Sequence, residues 1–290
     1  MVSVAARGSQ GGRLSSGSPV FVGGVGGSGT RVVAALLREL GYHIGEDLNE
    51  SLDNRWFSAL FRRPAALALE QAALARLYEA FRAASSGAPA RCRFDPGEIE
   101  SAMLEPRDQH QSPWLRARAG SMLRRLADPR QRALWAWKEP NSHLVAERVL
   151  EVDPEARYIH LARNGLDAAF GDNQNQVRFW GPHVLPPVAG EPEAACSLRY
   201  WCWAERRARR LAEDHPERVL WIRFEDLCAR DERTVVRLAS FLGRSRGEVA
   251  EQIDRLVAAP PSIGRFRRHG RELFQAADID YVASLGFPVE

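Results

Sequence analysis

An α/β fold with a central, mostly parallel sheet flanked by helices is what this sequence predicts, and three observations predict it. Short apolar runs that read as strands alternate with amphipathic stretches of about ten residues or more that read as helices. The first such pair, "VFVGGVGGSGTRVVAALLREL" (residues 20–40), joins strand to helix through a glycine loop, the opening unit of many α/β folds. No internal repeat or linker-like composition divides residues 19–290, so a single domain is expected. Residues 1–18, "MVSVAARGSQGGRLSSGS", are Gly/Ser-rich without the apolar stretch of a signal peptide and read as a disordered tail.

The elements follow in order. Val20–Val22 is the first strand, and Val32, Val33, Leu36, Leu37 and Leu40 recur at helical spacing up to Gly41, a C-terminal stop. Residues 41–57, "GYHIGEDLNESLDNRWF", are polar enough for a functional loop, 64–84 are helical, and 85–97 are a loop. A helix is expected over 113–126, ended by Asp128-Pro129. "RALWAWKEP" is a strand that delivers Lys138 at its C-terminal end, with Asn141 or Ser142 capping a helix to about Leu150. Residues 157–161 form the next strand, turning at Asn164-Gly165 into a helix from Leu166. A Pro/Gly-rich insertion at 181–193 precedes a long helix over 194–214, a buried strand over 219–224, and two helices stopped by Gly243 and by "PPSIG".

Composition narrows the function. The 290 residues are 45% hydrophobic and 27% charged, as in globular proteins, and the net charge of +3 is too small to argue for nucleic acid. No run approaches the ~18 apolar residues of a membrane span, and Cys92, Cys196, Cys202 and Cys228 show no paired spacing, so free thiols in the cytoplasm are expected. Among 40 basic residues Lys138 is the single lysine. A compact ammonium does what the planar guanidinium cannot, which marks this position for a specific task.

The glycine loop carries the chemistry. Gly24 to Gly29 has the G-x-x-x-x-G spacing of a phosphate loop. Gly26, Gly27 and Gly29 allow successive backbone N–H groups to point at an anion, Ser28 and Thr30 offer hydroxyls, and the following helix adds its positive end. Yet Thr30 stands where a nucleotide triphosphatase has its lysine, and Arg31 where it has the magnesium-binding hydroxyl. A phosphate held without a metal, with Arg31 and Lys138 supplying charge, fits better than magnesium ATP.

With these residues in hand, the chain resembles the sulfotransferases that use 3′-phosphoadenosine 5′-phosphosulfate (PAPS). Gly27-Ser28-Gly29-Thr30 matches the family's S-G-T loop for the 5′-phosphosulfate, with Gly27 where a basic residue is common. "HLARNGLDAAFGDNQNQ" supplies Arg163 at a strand end for the 3′-phosphate, with Gly171 at the position eight residues on where the family has Ser. "VLWIRFEDLCARDERTVVRLASFLG" and "IGRFRRHG" match two later segments, and the matches span residues 20 to 287 in order. The resemblance implies a P-loop-NTPase-like sulfotransferase fold, PAPS as co-substrate, no metal, and a small-molecule or glycan acceptor. Arg265 and Asn173 are candidates to support the 3′-phosphate beside Gly171. A degenerate P-loop kinase and a non-catalytic nucleotide-binding protein of the same fold are the alternatives.

Sulfuryl transfer asks for in-line geometry, charge stabilisation at the leaving oxygen and a base for the acceptor proton. Lys138 is the candidate for the leaving oxygen. The acidic loop offers Glu46, Asp47, Glu50 and Asp53 as bases, with Glu46 first by proximity, ahead of His43 and His110. His160, inside an apolar strand, is expected in the core, as are Tyr200, Trp201 and Trp203, and Glu225 of "EDL" is expected to tie loops together or to cap the following helix.

Overall fold

A computed structural model describes residues 18–290, so the expected tail at 1–18 falls almost wholly outside the described residues. In chain order the elements are β1 (Val20–Gly23), α1 (Thr30–Glu39), α2 (Arg55–Phe61), α3 (Gln71–Ser86), α4 (Pro96–Leu104) and α5 (Ser112–Ala127). Then come β2 (Ala136–Lys138), α6 (Ala146–Val152), β3 (Arg157–Ala162), α7 (Gly165–Ala169), α8 (Asn175–Val184) and α9 (Glu193–Asp214). The last are β4 (Val219–Arg223), α10 (Phe224–Cys228), α11 (Glu232–Leu242), α12 (Arg246–Leu256) and α13 (Ala276–Ser284). Short 3-10 turns cover Pro64–Leu67, Pro140–Leu144 and Arg265–Arg268.

The four strands form one parallel sheet in the order β2-β1-β3-β4. Side chains alternate along each strand and feed two cores. Val20, Val22, Ala136, Ile159, Leu161, Leu220 and Ile222 pack with residues of α1, α11 and α12. Phe21, Trp137, Tyr158 and Trp221 pack on the other face with α2, α3, α5, α6, α8 and α9. Here Phe21 lies in register with both Trp137 and Tyr158, and its ring stacks 4.6 Å from each. Trp135 extends the stack, 5.5 Å from Trp137. Aromatic pairs of this kind add ~0.5–1.5 kcal/mol each beyond burial and pin the strand register.

Several boundaries differ from expectation for identifiable reasons. The loop after α1 ends at Asn54, whose side chain accepts from the Phe57 N–H at 3.1 Å and starts α2 three residues early. The expected helix over 64–84 breaks near Glu70, where Arg148 donates to the carbonyls of Ala66 and Leu69 and draws them out of helical bonding. After β2 the capping group is the Glu139 carboxylate, not Asn141 or Ser142, and a 3-10 turn comes before α6. α4, capped by Asp95 with Pro96 at its first position, was not among the expected elements. Neither were α8, which takes in the start of the insertion at 181–193, and α13.

The strand order places the site. From β1 the chain moves outward to β2, then crosses to β3 on the other side of β1. The carboxyl ends of β1 and β3 therefore flank the topological switch point, where open α/β sheets bind ligands. The glycine loop leaves β1 there, and Arg163 leaves β3. A surface cavity of about 1220 Å³ lies at the opposite strand ends, lined by Arg157, Val219 and Arg244, away from this chemistry. Among the described residues no helix is long and apolar enough to cross a membrane, and the four cysteines are free.

Candidate active site

The loop between β1 and α1 owes its shape to glycine. Gly24, Gly27 and Gly29 have φ of 154°, 86° and 88°, and a Cβ on Gly29 would lie 2.5 Å from the Phe224 ring. Phe224 opens α10, so the "FEDL" segment closes directly on the glycine loop. Ser28 is buried, and its Oγ has no partner. The Ser28 N–H donates to Val25 O at 3.1 Å, while the N–H groups of Gly27 and Gly29 meet no protein acceptor among the described residues. α1 begins at Thr30 without a side-chain cap, leaving its positive end open. Gly26 is different: its N–H donates to Gln176 Oε1 at 2.7 Å. Gln176, on α8 and 150 residues away, carries no local sequence signal for this contact.

Arg163 brings the second half of the site to the first. Its Nη1 donates to Gly27 O at 3.2 Å and its Nη2 to Ser262 Oγ at 2.8 Å, while Nε is buried and unpartnered. Burial pushes its pKa down, the mark of a desolvated cation, and no carboxylate forms an ion pair with it among the described residues. The position is built by the following turn. Asn164 caps α7 by accepting from Leu166 N–H at 2.9 Å, and Glu225 Oε1 accepts the Asn164 N–H at 2.9 Å, the loop-tying role expected of it.

Asp167 fastens the C-terminal segment onto this unit, accepting from Gly264 N–H at 2.7 Å and Phe266 N–H at 3.1 Å. Arg265 is thereby set over α7, donating to Phe170 O at 3.2 Å, and a Cβ on Gly171 would lie 3.5 Å from its Nη1. The guanidinium thus stands beside the place where a side chain at 171 would be. Asn173, by contrast, accepts only from the Asn175 N–H, at 3.2 Å, among the described residues. Ser262, which sequence reasoning did not single out, sits between Arg163 and Arg265.

Lys138 ends β2 opposite Val22, one strand over from the glycine loop and about 4.8 Å across the sheet. It is 3% exposed; its Nζ donates to Ser51 O at 2.9 Å and pairs with Asp53. The other Asp53 oxygen accepts from Asn49 Nδ2 at 2.8 Å, and the Asn54 N–H donates to Lys138 O at 2.8 Å. The acidic loop therefore folds over the lysine, and of its carboxylates it brings Asp53 to Lys138. Glu46 lies elsewhere, accepting from Arg125 Nε at 2.9 Å with Arg132 at 3.5 Å. Asp47 pairs with Arg55 and Arg118, and Glu50 is exposed. Beside Lys138, burial raises the pKa of the Glu139 carboxyl, which accepts from the Asn141 N–H at 2.6 Å.

His160 is fully buried, as expected of a core residue. Its Nδ1 accepts from the Tyr158 hydroxyl at 2.7 Å, its Nε2 donates to Glu205 Oε1 at 3.1 Å, and Trp221 donates to the second Glu205 oxygen at 2.8 Å. Among the described residues no three His, Cys, Asp or Glu side chains gather in a metal-holding group. What the site offers is a set of unpaired donors around one loop: Ser28 Oγ, two glycine N–H groups and Arg163 Nε. Arg31 is exposed on the first turn of α1 with no ion-pair partner among the described residues, and such a cation is unfavourable at a helix N-terminus unless an anion sits there. Backbone N–H groups, a hydroxyl and guanidiniums left open at a helix N-terminus can receive an anion.

A sequence profile described as the sulfotransferase family matches residues 19–248. Comparison with curated proteins finds no match. Among solved structures the chain is similar to sulfotransferase STF9 from Mycobacterium avium, at 15% identity and TM-score 0.48, over 95% of this chain and 78% of that one. It is also similar to the sulfotransferase domain of the Synechococcus PCC 7002 olefin synthase, at 15% identity and TM-score 0.45, over 94% and 95% of the two chains.

Proposed function

The chain belongs to the sulfotransferase family, and from that premise we propose that it moves a sulfuryl group from PAPS to a hydroxyl or amine of a small-molecule or glycan acceptor. The observation that carries the donor assignment is the set of buried, unpartnered donors at the glycine loop and Arg163. Gly27, Ser28, Gly29, Thr30 and Arg31 would receive the 5′-phosphosulfate. Arg163, Ser262 and Arg265 would receive the 3′-phosphate, with Arg265 taking the part of a side chain at Gly171.

In this reading the acceptor oxygen attacks sulfur in line with the bridging oxygen. The bond between sulfur and the new oxygen forms as the bond to the 5′-phosphate oxygen breaks, and that oxygen leaves with the electron pair. Lys138 is the cation that meets the developing charge. Its move from Asp53 to the bridging oxygen frees a carboxylate oxygen beside the acceptor, and Asp53 takes the acceptor proton. This assignment favours Asp53 over Glu46, whose carboxylate Arg125 and Arg132 already engage.

Isothermal titration with adenosine 3′,5′-bisphosphate tests the donor assignment. Saturable heat is expected, and transfer of labelled sulfate from PAPS to a hydroxyl panel should follow. No heat at millimolar bisphosphate would rule the assignment out.

A further inference from the structure

A second group of unpaired polar atoms lies around the end of α2 and the start of α5. α2 rests on the end of β2: Asn54 N–H donates to Lys138 O, and Ser58 Oγ donates to Glu139 Oε1 at 3.4 Å. Arg62 follows α2 directly. Its side chain makes no hydrogen bond or ion pair among the described residues, and its Nε is buried. Gln109 Oε1, His110 Nδ1 and Arg118 Nε are likewise buried without a hydrogen bond among the described residues. Arg118 Nε is 3.3 Å from Asp47 Oδ2, out of line for a hydrogen bond, and its guanidinium lies 4.7 Å from the centre of the Trp114 ring, on which His110 stacks at 4.0 Å.

The charges in this corner do not cancel. Arg62, Arg107 and Arg118 all act on His110, and with burial they push its pKa down to about 4, so the imidazole is neutral near pH 7. Arg62 also acts on Glu139, whose carboxyl burial pushes up in pKa while Arg62 pulls it down. Arg107 has a structural task that accounts for it, donating to the backbone carbonyls of Ala59 at 2.9 Å and Met103 at 3.2 Å. Arg62 has none among the described residues, and Arg118 is held only by Asp47, which it shares with Arg55, and by the Trp114 ring. Two half-buried guanidiniums with unused donors, next to a neutral imidazole and a free amide oxygen, form a seat for an anion.

We infer that the acceptor of this enzyme carries an anionic group, a carboxylate or a sulfate or phosphate ester, held between Arg62 and Arg118 while its hydroxyl faces Lys138 and Asp53. The inference deepens the sulfotransferase reading and rests on it for the word acceptor; the anion seat itself does not. Gln109 and His110 then select among anionic groups: the His110 N–H meets an anion oxygen, and the Gln109 carbonyl takes a hydroxyl or amide hydrogen of the same molecule.

The test follows the His110 carbon-13 imidazole signal in the full chain, with and without adenosine 3′,5′-bisphosphate. The probes are 4-hydroxybenzoate, its uncharged methyl ester, and inorganic sulfate. The acid is expected to shift the signal saturably and to bind about tenfold or more tightly than the ester, the worth of a charge-assisted contact. Arg62→Gln and Arg118→Gln should each remove that preference, whereas Arg116→Gln, exposed on the same helix, should keep it. Among the described residues neither side chain makes a hydrogen bond to the fold, and Asp47 keeps Arg55 as a partner when Arg118 is replaced, so the variants should remain folded. Competition by inorganic sulfate would assign the seat to sulfate or phosphate esters as well as carboxylates. Equal binding of acid and ester, or no response from either at tens of millimolar, would overturn the inference. Anion preference without bisphosphate binding would leave the seat standing and remove the sulfotransferase reading instead.

Discussion

At the scale of single residues, the site depends on which side chains hold charge without a protein counter-charge. Lys138 is committed to Asp53 in the ligand-free structure, so its catalytic work consists of exchanging one oxygen partner for another. Lys138→Ala should lower kcat by about a hundredfold or more, with a smaller change in bisphosphate affinity, because the lost contact forms mainly in the transition state. Lys138→Arg should not restore the rate, since the planar fork does not fit a pocket only 3% exposed. Arg163→Ala should behave in the opposite way, weakening adenosine 3′,5′-bisphosphate by about 10–100-fold through loss of charge-assisted bonds to the ground state. Steady-state kinetics with calorimetry separates the two. Equal effects of both substitutions on binding and turnover would argue against dividing the roles this way. The single lysine was legible from composition alone. Its partner Asp53 was legible only as one of four acids, because nothing in "GEDLNESLDN" says which carboxylate the loop returns to the end of β2.

At the scale of elements, the glycine loop shows how spacing and function separate. The loop was legible because glycines between an apolar strand and an amphipathic helix have few other uses, and the strand-end position of Arg163 followed from the same pattern. The sequence did not reveal what each glycine answers to. Gly27 has φ of 86° with nothing within 4 Å of its missing Cβ, whereas Gly29 has a similar φ and Phe224 in the way. Gly27→Ala should therefore cost only the backbone term, about 1 kcal/mol. Gly29→Ala adds a clash with a buried ring and should cost several kcal/mol, read as a lower midpoint in urea unfolding. Equal midpoints for the two variants would mean that α10 yields to the loop. The contrast also bears on the basic residue the family often places at position 27: a long side chain has room there, at the cost of the left-handed backbone.

At the scale of the whole molecule, the alternation of strands and helices made the sheet legible, and burial on both faces followed from strands that are apolar throughout. The joins between distant segments were not, because each is a hydrogen bond between residues about fifty to a hundred and fifty positions apart. Gln176 on Gly26 is one, and others tie α9 to the sheet layer. His143, in the turn after β2, donates from Nδ1 to Pro140 O at 2.8 Å and accepts at Nε2 from the Tyr200 hydroxyl on α9 at 3.0 Å. That pairing needs a neutral ring, and complete burial lowers its pKa from 6.5 to about 3. The sign follows from linkage. Below pH 6.5 the unfolded chain takes up a proton that the folded chain refuses until about pH 3, so stability is complete above 6.5 and falls as the pH drops between these limits. The slope approaches about 1.4 kcal/mol per pH unit. His110, with its pKa lowered to about 4, adds to the loss in the same direction. His143→Gln keeps a donor and an acceptor but removes the titration. Between neutral pH and pH 5 the wild-type chain should therefore lose about 2 kcal/mol more stability in urea than the variant does. Parallel pH profiles for the two proteins would show that His143 takes up its proton as readily in the folded chain as in the unfolded one, with Tyr200 turned to accept from it.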